Sequence, residues 1–371
     1  MDKYYYFDNS TTSFPKPKEV AEDMSNFLLN IGGTYGRVNT KRGKYTTEKI
    51  EECRELLANK FIGTKKDSNI VFTSGATRAV NDILIGLDLH DTKILISSLE
   101  HNAVLRPIYH LYKNKKVEYQ LIPSKEGGKI DIEALSEIVK KEKISLAIVN
   151  MESNISGVIQ PIKEIKETLK DIPLLVDATQ YVGVGDIFAD DWNIDYLAFT
   201  GHKGLLGPTG TGGFYVKEPN KLKASYFGGG FGDGFETPYS VPEIYEAGTP
   251  NTVGIIGLLA ALKNRPVWNI TINDIIDTIK KIESSNKYKV IWSRELSSQG
   301  FLFSIKSYSN MAEISHKLYD DYNIECRYGF HCAILAHNFY NNNNGAIRFS
   351  FSPYTTKEDL KYLAYILINK L

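Results

Sequence analysis

The feature that most restricts the fold is an alternation running from about Asn69 to Val216, where short apolar runs exchange with stretches at helical spacing. The candidate strands are Asn69–Thr73, Lys93–Ser97, Val117–Ile122, Ser145–Asn150, Pro173–Asp177, Asp195–Thr200 and Gly212–Val216. Most are rich in Val, Ile and Leu, as expected of strands covered on both faces. Between most of them lie Thr77–Leu87, Ala103–Lys113, Ile132–Lys141 and Ile162–Leu169, each with helical periodicity. That order predicts an α/β fold with a largely parallel sheet and helices on both sides.

A chain of 371 residues exceeds one ordinary core, so a large unit and a smaller one are expected. The alternation stops at Gly228–Thr249, a stretch dominated by glycine, proline and aromatics that reads as a long functional loop. Val253–Leu262 then reads as a helix leading out of the large unit. The expected division is 13–264 for the large domain, with 1–12 and 265–371 forming a smaller α+β domain. Lys plus Arg (44) balances Asp plus Glu (44), which argues against a nucleic-acid footprint and against a polybasic membrane surface. The apolar run Val253–Leu262 falls short of the ~20 residues of a membrane span. The opening MDKYYYFDNS has no apolar core of a signal peptide. Three cysteines, Cys53, Cys326 and Cys332, without CxxC spacing, predict a reducing cytoplasmic setting with no disulfide framework and no metal.

Three segments carry chemistry. In NIVFTSGATRAVNDIL a strand passes through Ser74-Gly75-Ala76-Thr77 into a helix, and free N–H groups at a helix start attract phosphate. The same turn also occurs as plain α/β architecture. In Val176-Asp177-Ala178-Thr179-Gln180 an aspartate ends a buried strand, where α/β folds place ligands. It could hold the ring N–H of a pyridine cofactor, with Gln180 near a phenolic oxygen, or it could cap the next helix. In Phe199-Thr200-Gly201-His202-Lys203-Gly204 a lysine sits in a glycine-rich turn at another strand end. It is either surface decoration or an amine made easy to deprotonate.

TSGAT, SLEHNAV, ESNISGVIQPI, VDATQ, FTGHKGLLGPTG, YEAGTPN and IRFSFSPYTT together resemble class V aminotransferase-fold enzymes, most nearly the cysteine desulfurase and selenocysteine lyase family. The resemblance covers nearly the whole chain. It implies a PLP-dependent transferase fold (fold type I), with a mainly parallel seven-stranded sheet in the large domain and pyridoxal 5'-phosphate as cofactor. It implies that Lys203 carries the cofactor and acts as base at Cα, and that His101 stacks on the ring. Asp177 would pair with the ring nitrogen and Gln180 with the phenolic oxygen. Ala76, Thr77, Thr200 and His202 would bind phosphate, joined by Thr249 from the other subunit of a homodimer with composite sites. Asn154 and Arg348 would hold the substrate carboxylate, a bidentate task suited to a guanidinium. Read without the motif, Arg348 is a salt bridge at a strand edge.

The resemblance departs at the thiol. One branch is expected to place the nucleophilic cysteine immediately before the arginine, and this chain has Ile347 there. Cys332, in Arg327-Tyr328-Gly329-Phe330-His331-Cys332, has two readings: a small buried residue, or the persulfide carrier. Cys53 and Cys326 read as structural. Ala333–Ala346, with His337 and the run Asn341–Asn344, falls where the family's sulfur-handling loop would lie and reads as exposed surface. The resulting expectation is a C–S or C–Se lyase that acts on L-cysteine or a related β-substituted amino acid. It would release alanine and sulfur to a thiol or an acceptor protein. The alternatives are a class V aminotransferase, an epimerase or a β-eliminating lyase, with a PLP-bound scaffold as the non-enzymatic reading.

Overall fold

The computed structural model describes residues 3–371 except 115, 231–234, 236–238 and 308. Seven strands form the main sheet: β1 (Ile70–Thr73), β2 (Thr92–Ser97), β3 (Val117–Ile122), β4 (Ile144–Asn150), β5 (Leu174–Asp177), β6 (Tyr196–Thr200) and β7 (Gly212–Val216). Their order across the sheet is β1-β7-β6-β5-β4-β2-β3. β7 runs antiparallel to both its neighbours and every other pair is parallel.

The unbroken apolar runs have a simple cause. Successive side chains of a strand point to opposite faces, and here both faces are covered. Leu174 and Val176 join one buried cluster, with Val149, Leu197 and Phe199. Leu175, between them, joins the cluster on the other face, with Ile148, Ala198 and Phe214. The crossover helices Asn102–Lys113, Ile132–Lys141 and Ile162–Leu169 follow the parallel strands. Asp131 starts the second of these by accepting hydrogen bonds from the Glu133 and Ala134 N–H groups at 3.1 Å each.

A second, antiparallel sheet comprises β8 (Lys289–Ile291), β9 (Leu302–Lys306), β10 (Arg327–Gly329) and β11 (Ala346–Ser350), in the order β10-β11-β9-β8. One of its faces carries Phe303, Ile305, Ile347 and Phe349, packed with Phe7 and the helices Ile272–Ser284 and Lys357–Asn369. The intervening residues point the other way: the Ser304 hydroxyl donates to the Ile155 carbonyl at 2.6 Å. The N-terminal Tyr5–Tyr6 pairs parallel with Ile324–Glu325, so the chain's start is attached to this sheet.

Part of the stretch Gly228–Thr249 lies outside the described residues, and its described part forms turns without helix or strand. Its end is pinned by a buried ion pair. Arg54 donates to Glu246 at 2.8 and 3.1 Å and to the Ile70 carbonyl, while the Phe72 N–H donates to the same carboxylate at 2.7 Å. No described helix is long and apolar enough to cross a membrane.

Arg54→Ala would leave the Glu246 carboxylate buried without its cation. Loss of about 3–5 kcal/mol of stability is expected, read as a lowered midpoint in urea unfolding.

Candidate active site

The parallel strands bring their C-terminal ends to one edge of the sheet, and the candidate residues follow from that geometry. β2 leads to Glu100 and His101, β4 to Asn154, β5 ends on Asp177, and β6 ends on Thr200 just before His202 and Lys203. They meet the start of the helix Ala76–Gly86 and the inner face of β11 around a cleft of about 330 Å3. Ala76, Thr77, His101, Asn154, Thr200, His202, Lys203 and Arg348 all line it.

The floor of the cleft suits an anion. Gly75 has φ of 149°, a conformation that favours glycine, and the helix after it has no side-chain cap. The first helical N–H groups therefore lack intrahelical acceptors, which gives an anion-binding end. The Nδ1 of His202 is buried with no partner among the described residues, as are Nδ1 of His331, Oδ1 of Asn154 and Nε of Arg348. Four orphaned polar atoms on one cleft wall match a polar guest.

Burial governs the charge states. Lys203 is only partly exposed to the cleft, and desolvation, reinforced by the Arg348 guanidinium, lowers its amine to about 8, against the pull of Asp177. His101 caps the helix Asn102–Lys113, its Nδ1 accepting from the Ala103 N–H at 3.0 Å. That bond places the ring proton on Nε2, and burial lowers the imidazole to about 4, so the ring is neutral. Asp177 is buried, with Oδ1 accepting from the Thr179 N–H at 3.0 Å. Beside it, burial and then the Asp177 charge raise the Glu100 carboxyl to about 8.

Arg348 does not lie at a strand edge. β11 is paired on both sides, by β10 and β9, and the guanidinium is buried. It donates to Asp8 Oδ1 at 2.7 Å, to Thr11 Oγ1 at 2.9 Å and to the Asn154 carbonyl at 3.2 Å. Arg327, directly opposite Arg348 in the sheet register, also lines the cleft and donates to Thr11 Oγ1 at 3.1 Å. Sequence reasoning missed Arg327, Asp8 and Thr11. The two arginines become neighbours only through β10–β11 pairing.

Three further readings need correction. Ile347 precedes Arg348 on a strand, so it faces the opposite side, fully buried in the second core. A thiol at that position could not reach the cleft, and the case for a missing nucleophile falls. Cys332 is exposed rather than buried, with its Sγ 3.9 Å from an Arg327 nitrogen. His337 is not a surface residue: it is 1% exposed and its Nδ1 lies 3.1 Å from the Nδ2 of Asn342, which is itself buried inside the asparagine run.

Cys332 sits at a cramped turn. His331 and Cys332 both have positive φ, 50° and 57°. Each carbonyl is held from the main-sheet side: Asn154 Nδ2 donates to His331 O at 2.9 Å, and the Asn102 N–H donates to Cys332 O at 2.7 Å. Cys332 and His101 share a neighbouring cleft of about 680 Å3. By contrast, burial raises the Cys53 thiol strongly and the Cys326 thiol to about 12. Besides Cys332 and the buried Asp177, two more candidates lie off the main cleft. Gln180 donates to the Ser10 carbonyl at 3.2 Å and faces a small adjoining chamber. Thr249 lines a separate cavity that shares Ser74, Arg78 and Gly210 with the cleft. Among the described residues no cluster of three His, Cys, Asp or Glu could hold a metal.

A strand-end cleft lined by a depressed lysine and a neutral histidine, with a buried aspartate ending a neighbouring strand, defines a class, and the chain belongs to the class-V aminotransferase family, whose family model matches residues 5–363. Its relatives are more particular. It is 30% identical to a probable cysteine desulfurase of Pyrococcus abyssi, over 98% of this chain and 93% of that protein. It is also 30% identical to a probable cysteine desulfurase of Borreliella burgdorferi, over 96% and 89%. Its fold matches the apo structure of a cysteine desulfurase from Thermococcus onnurineus NA1 with a TM-score of 0.90 and 28% identity, covering 99% of this chain and 95% of the other.

In the native chain an alkylating reagent should modify Cys332 first near neutral pH, the half-buried Cys326 more slowly because its thiol is raised, and Cys53 only after unfolding. Peptide mass mapping reads the order; early modification of Cys53 would contradict the burial described here.

Proposed function

We propose that this protein is a pyridoxal-phosphate-dependent cysteine desulfurase, taking sulfur from L-cysteine and releasing alanine. The observation that carries the reading is an exposed thiol, Cys332, in the cleft adjoining the one lined by Lys203 and Arg348, joined to it through His101, which lines both, and through Arg327, whose guanidinium lies 3.9 Å from the thiol.

The residues fit the cofactor. The uncapped helix start at Ala76 and Thr77, with Thr200 and His202, would receive the phosphate. Asp177 would hold the ring nitrogen, and the neutral face of His101 would stack on the ring. Gln180 is proposed for the phenolic oxygen, reached from the chamber side. When bound, the cofactor supplies an electron sink for the carbanion chemistry at Cα. Lys203 attaches it and moves the Cα proton, a task suited to an amine that loses its proton near pH 8. Arg348, with the Asn154 side chain, orients the substrate carboxylate. Cys332, as its thiolate, attacks the substrate sulfur. The C–S electron pair stays with the carbon, which is protonated to the alanine methyl, and Cys332 keeps the sulfur as a persulfide.

A thiol or acceptor protein would then take the sulfur. Two copies of the chain are proposed to pair so that Thr249 of each reaches the phosphate of the other. Residues 13–264 are read as the cofactor unit, and 1–12 with 265–371 as the unit that carries Arg348. A cytoplasmic location is proposed on the reduced cysteines.

The test is product analysis with L-cysteine, with and without added thiol, comparing the wild type with Cys332→Ala. Alanine and sulfide from the wild type and at least a 100-fold loss in the variant are expected. Absence of alanine from the cofactor-loaded wild type would overturn the reading, and equal alanine from both would remove Cys332 from it. Arg348→Lys should raise KM for L-cysteine by about 10–100-fold with cofactor retained, since charged hydrogen bonds contribute roughly 1.5–3 kcal/mol.

A further inference from the structure

Lys203 faces two spaces. One is the cleft. The other is a narrow chamber of about 30 Å3 that shares only Ser10 and Lys203 with it. That volume admits one or two waters, each needing roughly 10–15 Å3. Much of its wall is apolar, including Leu206, Phe351 and the stacked pair Trp268 and Phe301 with ring centres 3.7 Å apart. Only two lining residues, Lys203 and Glu152, have side chains that ionise near neutrality.

Glu152 has no structural partner to explain it. It is 2% exposed, it is in no ion pair among the described residues, and its Oε2 is buried without a hydrogen bond. Leaving a carboxyl in that state costs several kcal/mol relative to an apolar residue of the same shape. The surroundings nevertheless make room for it. A Cβ on Gly300 would come within 2.0 Å of Glu152 Oε1, so a side chain at 300 would push this carboxyl from its present position.

We propose that Glu152 exchanges a proton with Lys203 through water held in this chamber, as a positioning residue that sets the protonation of the lysine during turnover. The exchange is balanced. The Lys203 ammonium gives a proton to water, the water passes one to the Glu152 carboxylate, and amine plus carboxylic acid replace ammonium plus carboxylate. The reverse transfer restores the pair. Burial alone raises the Glu152 carboxyl to about 8, and Lys203 is lowered to about 8, so the proton moves between groups of matched acidity. Lys203 and Glu152 meet only across the chamber; Tyr181, which feels the Glu152 charge, is raised to about 12 by burial and stays neutral in this range. On the cleft side Lys203 is faced by Arg348, Asp177, Arg327 and Asp8.

This inference rests on the proposed role of Lys203 as base, and its test separates the two. The variant is Glu152→Gln, which keeps shape and hydrogen bonding and removes the titration. In the cofactor-free chain, the pH dependence of Lys203 modification by an amine reagent is read by peptide mass spectrometry. The wild type should titrate broadly, in two coupled steps, because the ionised carboxylate holds the ammonium. The variant should give one sharper step, with its midpoint lower by roughly half a pH unit or more. An unchanged curve overturns the inference. In the loaded enzyme, kcat for L-cysteine should fall about tenfold with KM unchanged; equal kcat and an equal pH profile also overturn it. If the variant does not fold, the infrared carboxylic-acid band of the otherwise wild-type chain decides. Lys203→Ala should shift one such band, and no shift counts against the exchange. A shifted Lys203 titration in a chain that makes no alanine defeats only the desulfurase reading. Alanine production with an unshifted titration defeats only this inference.

Discussion

A guanidinium taken out of water must have acceptors, and the arrangement of this protein's cleft follows from how Arg348 finds them. Its donors go to Asp8, to Thr11 and to the Asn154 carbonyl. These residues lie on the N-terminal segment and on the loop after β4, far from Arg348 in sequence. Removing any partner would leave a buried charge short of compensation, a penalty of several kcal/mol. The pairing of Tyr5–Tyr6 with Ile324–Glu325 brings the chain's start to the same sheet. The cleft is therefore walled by three segments tied at one ion.

The same removal from water sets the chemistry around that ion. Desolvation penalises whichever form is charged, so it acts in opposite directions on acids and bases. It draws the Lys203 amine down and the Glu100 carboxyl up, and it keeps His101 neutral. A lysine and a carboxyl that would be fully charged in water thus sit near the point of exchange, while the histidine beside them is held neutral. The seven-stranded sheet makes this possible because its strands, apolar on both faces, deliver the polar groups only at their ends.

That division explains what could be read in the sequence. The sheet was legible because burial on two faces leaves continuous apolar runs, and the strands predicted from them lie within a residue of those observed. Lys203 and Asp177 were legible because they lie at the ends of such runs, whereas His101 was reached only through the family resemblance. Arg327, Asp8, Thr11 and Glu152 were not, since each matters through a neighbour far along the chain or, for Glu152, through a cavity. Ile347 misled because the facing of its strand enters only with the fold: Arg348 looks into the cleft, and the residue before it looks into the core. The exposure of Cys332, left open between two readings, and the burial of His337, read as surface, escaped the sequence for a related reason. The turn that exposes the cysteine folds the histidine inward against Asn342.

The turn at His331 and Cys332 has a mechanical consequence. Both residues are in left-handed backbone, and both carbonyls are tied to the main-sheet side by Asn102 and Asn154. A cysteine anchored in this way can rotate its side chain but cannot travel. In the proposed reaction a sulfur atom on it would stay in the adjoining cleft, so delivery would fall to the recipient, which would have to bring its own nucleophile to a stationary post.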